Sequence, residues 1–430
     1  MSANDIEIFD GGQGEGGGQL IRISLALCHI LSKPLKLINI RSGRPKPGLA
    51  AQHLEGILLL SRLSNGKVEN GSIGSTNISY FPSNRSLQSR YVANPNTAGS
   101  ITLMIQISLS AITLSIKNSE KTLLELHGGT NVSTSPSIDH VYHILLPLLR
   151  RYFSINASLE LKHRGYYPKG GGLVELEILS CDNPLSTTLD LVNRGKVKTI
   201  HGSIFGNVGL EKKKELEIEI NSKIRTMLSN RSSQLDTYED ISIEINITSE
   251  NSLKDQYNED DNANTNETSN IINSRGVCFQ WKKGQCNRGN SCKFSHSMNN
   301  NQNFKRKEKL TIGAILWGKT DTGCYLFSDD LVTDTNPVFD INKLLSTFIE
   351  LLDSGACCDE KTTDQLIIYM AVSMMKSDDE NKVLSIVCEP INRYSSKHLE
   401  TSINVASHFT NVKFDTKELE NKCRLIQCHK

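Results

Sequence analysis

Nowhere in its 430 residues does this chain carry an apolar run approaching the ~20 residues that a helix needs to cross a bilayer. No membrane-spanning segment and no membrane partner are expected. Its first residues, Met1-Ser2-Ala3-Asn4-Asp5, are polar and lack the basic n-region of a secretory signal. Neither charge sign is in surplus: 48 Lys and Arg against 47 Asp and Glu leave a net +1, so any asymmetry must be local. No feature of the sequence sets an oligomeric state. These absences point to a nuclear or cytoplasmic protein, where its eleven cysteines are not expected to pair as disulfides. What is present is a 37% hydrophobic share with 22% charged residues, enough for a real core. The length allows two or three domains.

Residues 6–179 alternate short β-like runs, glycine clusters and amphipathic helical stretches. A helix starts near Gln19, sets Leu20, Ile23, Leu27 and Ile30 on one face, and ends before Pro34. A second covers 50–63 and is stopped by Ser64-Asn65-Gly66. Residues 172–178 alternate as a half-buried strand does. The mixture predicts α+β layers with helices packed on sheets. Around Asp182-Asn183-Pro184 a second block begins, with a charged helix over 210–229 and strict alternation at Ile241, Ile243, Ile245 and Ile247. Further strands are expected at 310–317 and 324–327. From about 355 the patterns of the first block return. Glycine clusters recur at 16–18, 128–129 and 170–172 without a strict sequence repeat.

Residues 249–309 are Asn-rich and too polar to bury a core alone. Inside them sit Cys278, Cys286, Cys292 and His296, spaced C-x7-C-x5-C-x3-H. Three thiolates and one imidazole make the closed tetrahedral shell of a structural zinc site. Zinc supplies roughly 10–16 kcal/mol of apparent binding energy, enough to fold so short a segment. From Arg275 to Leu310 nine Lys and Arg face one acid, Glu308, a local charge of +8. Residues 249–270 hold six acids and one lysine, a spacer of opposite sign. The filling CFQWKKGQCNRGNSCKFSH resembles the CCCH zinc fingers, many of which bind single-stranded RNA. Phe279, Trp281 and Phe294 offer faces on which bases stack.

The first glycine cluster, Asp10-Gly-Gly-Gln-Gly-Glu15-Gly-Gly-Gly-Gln19, runs straight into a helix. Bare backbone at a helix N-terminus cradles phosphate. Gly12, Gly14 and Gly17 satisfy GxGxxG, yet the P-loop lysine is missing and no later acid completes a dinucleotide fingerprint. IRSGRPKPGLAAQH then gathers Arg41, Arg44, Lys46, Gln52 and His53, a dense set of phosphate-type donors. NTAGSITLMIQ adds Gln106, and HRGYYPKGGG adds Arg164 and Lys169.

With GGQGEGGGQLIRISLAL, IRSGRPKPGLAAQHL, GGTN at 128–131, RGYYPKGGG, TDQL at 363–366 and a late histidine, the chain resembles the RNA 3′-terminal phosphate cyclases. The resemblance covers most of 6–180 and 355–415 and implies a large domain of repeated βαβαββ-type units, at 1–184 and 356–430. A smaller inserted α+β domain, similar to the C-terminal domain of a translation initiation factor, is implied at 185–355. The CCCH finger at 278–296 is then nested in one of its loops, between low-complexity linkers within 249–309.

By the same resemblance His398 is the nucleophile that takes AMP from ATP and passes it to an RNA 3′-phosphate end. The neighbouring 2′-hydroxyl then closes the 2′,3′-cyclic phosphate. The resemblance implies that Glu15 helps hold Mg²⁺ or Mn²⁺, that Arg22, Arg41, Arg44 and Gln52 serve the phosphates, and that Gln106, Asp364 and Gln365 line the adenylate pocket. His408 is expected to be a surface or packing histidine, and Asn131 stands where the family often has an acid. A cyclase-like ribosome-biogenesis protein without activity and an RNA-binding adaptor working through its finger are the alternatives. His398 and the intact GEGGGQ cluster favour the enzyme.

Overall fold

The computed structural model describes residues 6–83, 88–115, 121–133, 135–179, 189–232, 241–248, 250, 311–332, 338–390 and 397–430. The chain divides into two units, Met1–Asp255 with Thr311–Lys430, and Gln256–Leu310. The second unit, with the candidate zinc ligands Cys278, Cys286, Cys292 and His296, lies outside the described residues.

The first unit contains one topology three times. Its first copy is β1 (Glu7–Asp10), α1 (Gly18–Leu31), β2 (Leu35–Ile38), α2 (Ala51–Ser64), β3 (Lys67–Glu69) and β4 (Ile78–Phe81), in sheet order β1-β2-β4-β3. The α1 crossover makes β1 and β2 parallel, whereas β4 runs antiparallel to both its neighbours. The second copy is β5 (Arg90–Ala93), α3 (Ile101–Ser115), β6 (Thr122–Gly128), a composite helix, β7 (Ala157–His163) and β8 (Gly172–Ile178), again ordered β5-β6-β8-β7. The composite helix is α4 (Ile138–His140), a π-helical turn (Val141–Leu145) and α5 (Leu146–Phe153).

The third copy opens with β9 (Asp190–Leu191) and is then interrupted. The interruption is β10 (Val197–Gly206), α6 (Leu210–Ser232), β11 (Ser242–Ile247), β12 (Ile312–Thr320), β13 (Tyr325–Leu331) and α7 (Ile341–Ser354), with sheet order β11-β10-β12-β13. It resumes with α8 (Glu360–Met375), β14 (Leu384–Cys388), α9 (His398–Thr410), β15 (Lys413–Glu418) and β16 (Arg424–His429). Their order is β9-β14-β16-β15, the same pattern once more. β9 lies within the range that the sequence assigns to the smaller domain, yet it pairs in parallel with β14.

The hydrophobic periods explain most elements. The alternating run 172–178 is β8, whose even positions Val174, Leu176 and Ile178 are buried. Helix α1 departs from its expected single apolar face, because every residue from Gln19 to Ile30 is buried. It packs against α2, α3 and α9 together, so its polar residues Gln19 and Arg22 must find partners inside. Among the described residues no helix is long and apolar enough to cross a membrane.

Candidate functional site

The glycine cluster ends β1 and turns the chain into α1. Gly14 and Gly16 hold φ of 59° and 58°, a left-handed backbone that side chains with a Cβ resist. Gly17 caps α1 without a side-chain bond, so the helix begins on bare N–H groups. A Cβ on Gly17 would lie 2.6 Å from Glu15 Oε1 and 2.9 Å from Arg44 Nη2. One on Gly18 would lie 2.6 Å from His53 Nε2 and 2.8 Å from Arg22 Nη1. Four polar side chains thus crowd onto this turn because two successive residues have none.

Glu15 is held between Arg44 and His398. Its Oε1 accepts from Arg44 Nη2, and its Oε2 stands 2.6 Å from His398 Nδ1. Burial pushes the Glu15 carboxyl up, but the His398 contact and the charges of His398 and Arg44 outweigh it and hold it below the usual range. The same contact with Glu15 raises His398 above an ordinary histidine, against the opposing effect of burial. His398 is the first residue of α9, so the glycine turn and this helix start meet across 383 residues of sequence.

Behind them lies a layer of amides. Arg22 donates from Nε to Gln106 Oε1 and from Nη2 to Gln19 Oε1, both at 2.6 Å. Gln106 Nε2 also reaches Gln19 Oε1 at 3.4 Å, and Gln19 Nε2 donates to Ser402 Oγ at 3.1 Å. Burial lowers Arg22 to about 10, with Asp364 and Glu15 opposing the shift; at neutral pH it keeps its charge. Because amides rather than carboxylates hold it, that charge remains available to an anion.

His53 accepts from Ala50 N–H on Nδ1 at 3.1 Å, and burial together with Arg22 and Arg41 lowers it to about 3. It is therefore neutral with its proton on Nε2, a donor aimed at Gly18. Gln52 accepts from Ser100 N–H at 2.9 Å and lines a small hollow with Arg22 and His53. Arg41 is tied to Gly48 O at 2.8 Å and lies near enough to Arg44 for the two charges to oppose each other. Gln365, buried on α8, donates back to Lys361 O at 2.8 Å.

Asp364 is buried on α8 near His398 and Arg22. Burial pushes its carboxyl up to about 8, and Glu360 and Asp359 add to the effect. Between about pH 4 and about pH 8 the folded chain then holds a proton that the unfolded chain releases, so this group's contribution to stability falls as pH rises. Asp364→Asn should erase that dependence. Melting temperatures of variant and parent, compared from about pH 5 to about pH 8, should diverge in the variant's favour as pH climbs; a constant gap would contradict a neutral Asp364.

Among the described residues no group of three or more His, Cys, Asp or Glu is placed to hold a metal ion. Glu15 offers one carboxylate, which suits a hard divalent cation that takes its other ligands from nucleotide phosphates and water. Each Glu15 oxygen, beside its contact with Arg44 or His398, keeps a lone pair for such an ion.

Glu15, Arg22, Arg44, Gln106, Asp364 and His398 are thus brought together, with Gln52 beside them. Arg164 is not. Its guanidinium is fully buried against Asp139, with bonds of 2.7 and 2.8 Å, and stacks on Phe205 at 4.3 Å. Asn131 bonds both partners. Gln19, Thr401 and Ser402 carried no role in the sequence reading. Their one signal is spacing, since Thr401 and Ser402 fall one helical turn after His398.

A family model described as RNA 3′-terminal phosphate cyclase matches residues 13–416. An RNA 3′-terminal phosphate cyclase of Thermococcus kodakarensis is 46% identical over 167 residues, 39% of this chain and 46% of that protein. One of Hyperthermus butylicus is 40% identical over 196 residues, 45% of this chain and 53% of that protein. One of Desulfurococcus amylolyticus is 37% identical over 190 residues, covering 44% and 52% respectively. The matched stretches span about half the length of these curated relatives.

Proposed function

The chain belongs to the RNA 3′-terminal phosphate cyclase family, and from that premise we propose that it converts an RNA 3′-phosphate into a 2′,3′-cyclic phosphate with ATP, through His398. The observation that carries this reading is the meeting of His398, Glu15 and Arg44 at the bare N-terminus of α1, with Arg22 and His53 behind it. Nucleophile, carboxylate and phosphate donors stand in one place, which favours an enzyme over a non-catalytic relative.

The ring of His398 turns Nδ1 to Glu15, so the neutral tautomer with Nδ1–H carries its lone pair on Nε2. We assign to Nε2 the attack on the α-phosphorus of ATP: an N–P bond forms, the bond to the β-phosphate oxygen breaks, and pyrophosphate leaves. Glu15 stabilises the positive charge that this places on the ring. Arg22, Arg44, His53 Nε2–H and the first N–H groups of α1 hold the phosphates. In the second step an oxygen of the RNA 3′-phosphate attacks that phosphorus, the N–P bond breaks, and an RNA–AMP anhydride forms. The 2′-hydroxyl then attacks the 3′-phosphorus, loses its proton and expels AMP. A Mg²⁺ or Mn²⁺ ion at Glu15 would neutralise triphosphate charge. Arg41, Gln52, Gln106, Asp364 and Gln365 complete the proposed nucleotide pocket.

The finger belongs to the same reading. Cys278, Cys286, Cys292 and His296 would bind one structural Zn²⁺, and their basic, aromatic surroundings would hold single-stranded RNA.

Two assays check the proposal. With α-labelled ATP, RNA ending in 3′-phosphate should be cyclised, and RNA ending in 3′-OH should be inert. A 3′-phosphate on a 2′-deoxy sugar should accept AMP and stall there; an inert deoxy end would refute the order of steps. For the finger, deletion of 256–308 keeps Glu250, which accepts from Gly206 N–H at 2.7 Å and from Tyr166 Oη at 2.9 Å. Adenylation should survive, bound zinc should fall by about one per chain, and RNA affinity should drop with a shallower salt slope. Unchanged RNA affinity would assign the finger to another partner.

A further inference from the structure

We propose that Gln19 and Ser402 are positioning residues: together they form a strut that sets His398 at a fixed spacing from the Arg22–Gln106 donor pair. The inference rests on the adenylation reading above and deepens it.

Helix α9 begins at His398, and its N-cap residue, Lys397, supplies no side-chain bond. Among the described residues, a side-chain tie to this turn comes from one turn on. Ser402 Oγ donates to His398 O at 2.9 Å and accepts from Gln19 Nε2 at 3.1 Å. A weaker tie runs from Glu15 N–H to Thr401 Oγ1 at 3.4 Å.

The direction of each bond is forced. Arg22 has only donors, so the Gln19 amide must turn its oxygen to Arg22 and its nitrogen to Ser402. Ser402 Oγ, accepting from Gln19, sends its own proton to the carbonyl of His398. Polarity therefore runs one way, from Gln106 and Arg22 through Gln19 and Ser402 to the backbone of the nucleophile. Gln19 is 2% exposed and Ser402 0%, so water cannot stand in for a lost partner, and a buried unmade bond is costly. The strut touches neither the reacting nitrogen nor an available edge of Arg22. Its effect should fall on the geometry of attack rather than on nucleotide binding, and displacement of about 1 Å costs on the order of 10²-fold in rate.

The test is single-turnover self-adenylation of the full chain with α-labelled ATP, beside ATP affinity measured in a His398→Ala background. Ser402→Ala should slow AMP transfer by about 10- to 100-fold, with ATP affinity within about twofold of the parent. Gln19→Ala should slow it comparably. The double variant should be no slower than the worse single one, because one strut can be broken only once. Melting temperature identifies any variant that fails to fold. In that case Ser402→Cys gives the second reading: it keeps the shape and leaves Arg22 untouched, its thiol is a poor donor and acceptor, and it should also slow transfer. Wild-type rates in a folded Ser402→Ala, rate losses that multiply in the double variant, or a loss confined to ATP affinity would each overturn the strut. Absence of any AMP adduct on the parent protein overturns the adenylation reading itself, and the strut with it.

Discussion

His398→Ala should abolish the AMP adduct and the cyclised RNA end together, a loss of roughly 10⁴-fold or more, as removal of a nucleophile gives. The control lies on the same helix. His408 sits ten residues on in α9, half-exposed, with Nε2 2.7 Å from Glu7 Oε1 and its ring 5.0 Å from that of Phe9. It braces α9 against β1, and His408→Ala should keep both adduct and product. The adduct itself should be labile to acid and stable to alkali, as a phosphoramidate is. Protein incubated with α-labelled ATP and Mg²⁺ or Mn²⁺, then run on a denaturing gel, checks all of this at once. An adduct that persists in His398→Ala would remove the nucleophile from the scheme.

Asp139→Ala should cost about 3–5 kcal/mol of stability, the usual penalty for leaving one member of a buried ion pair unpaired. The Asp139 and Arg164 side chains are both 0% exposed. Burial pushes the Asp139 carboxyl up, but the charge and bonds of Arg164, helped by Asn131, hold it below its ordinary value. Three parts of the fold meet in this cluster: Asp139 on α4, Arg164 just after β7, and Phe205 on β10 of the interrupting segment. Removing the carboxylate strands a guanidinium with no water to take its place. Asp139→Asn keeps an acceptor and should cost less. Chemical denaturation of the three proteins supplies the comparison; equal midpoints would mean that the cluster carries no stability.

The two predictions separate what RGYYPKGGG and GEGGGQ contribute. In the sequence both looked like phosphate ground, since each sets donors beside glycines. In the fold only the second reaches His398. Arg164 faces inward because it follows β7 where α4 presents Asp139, a pairing that no local pattern announces. The repeated βαβαββ plan was implied by the family resemblance, not by any repeat of residues along the chain. Its copies share strand order and crossover, not residues, and the third is broken between β9 and α8 by more than a hundred residues.

By itself the sequence determined the periodic elements: the charged α6, the alternating β8 and β11, and the glycine turn that leads into α1. It also marked the donor-rich motifs and the candidate histidine His398, because residue type and short-range spacing are local properties. Only the tertiary structure decided which donors act together. Glu15 meets His398, and Gln19 meets Ser402, across 383 residues. Chain separation carries no information about such contacts. The Gln19 contact arises because α1 is buried along its length and Gln19 must satisfy its amide against the helix packed on it, and the Glu15 contact because the glycine turn before α1 faces the start of α9.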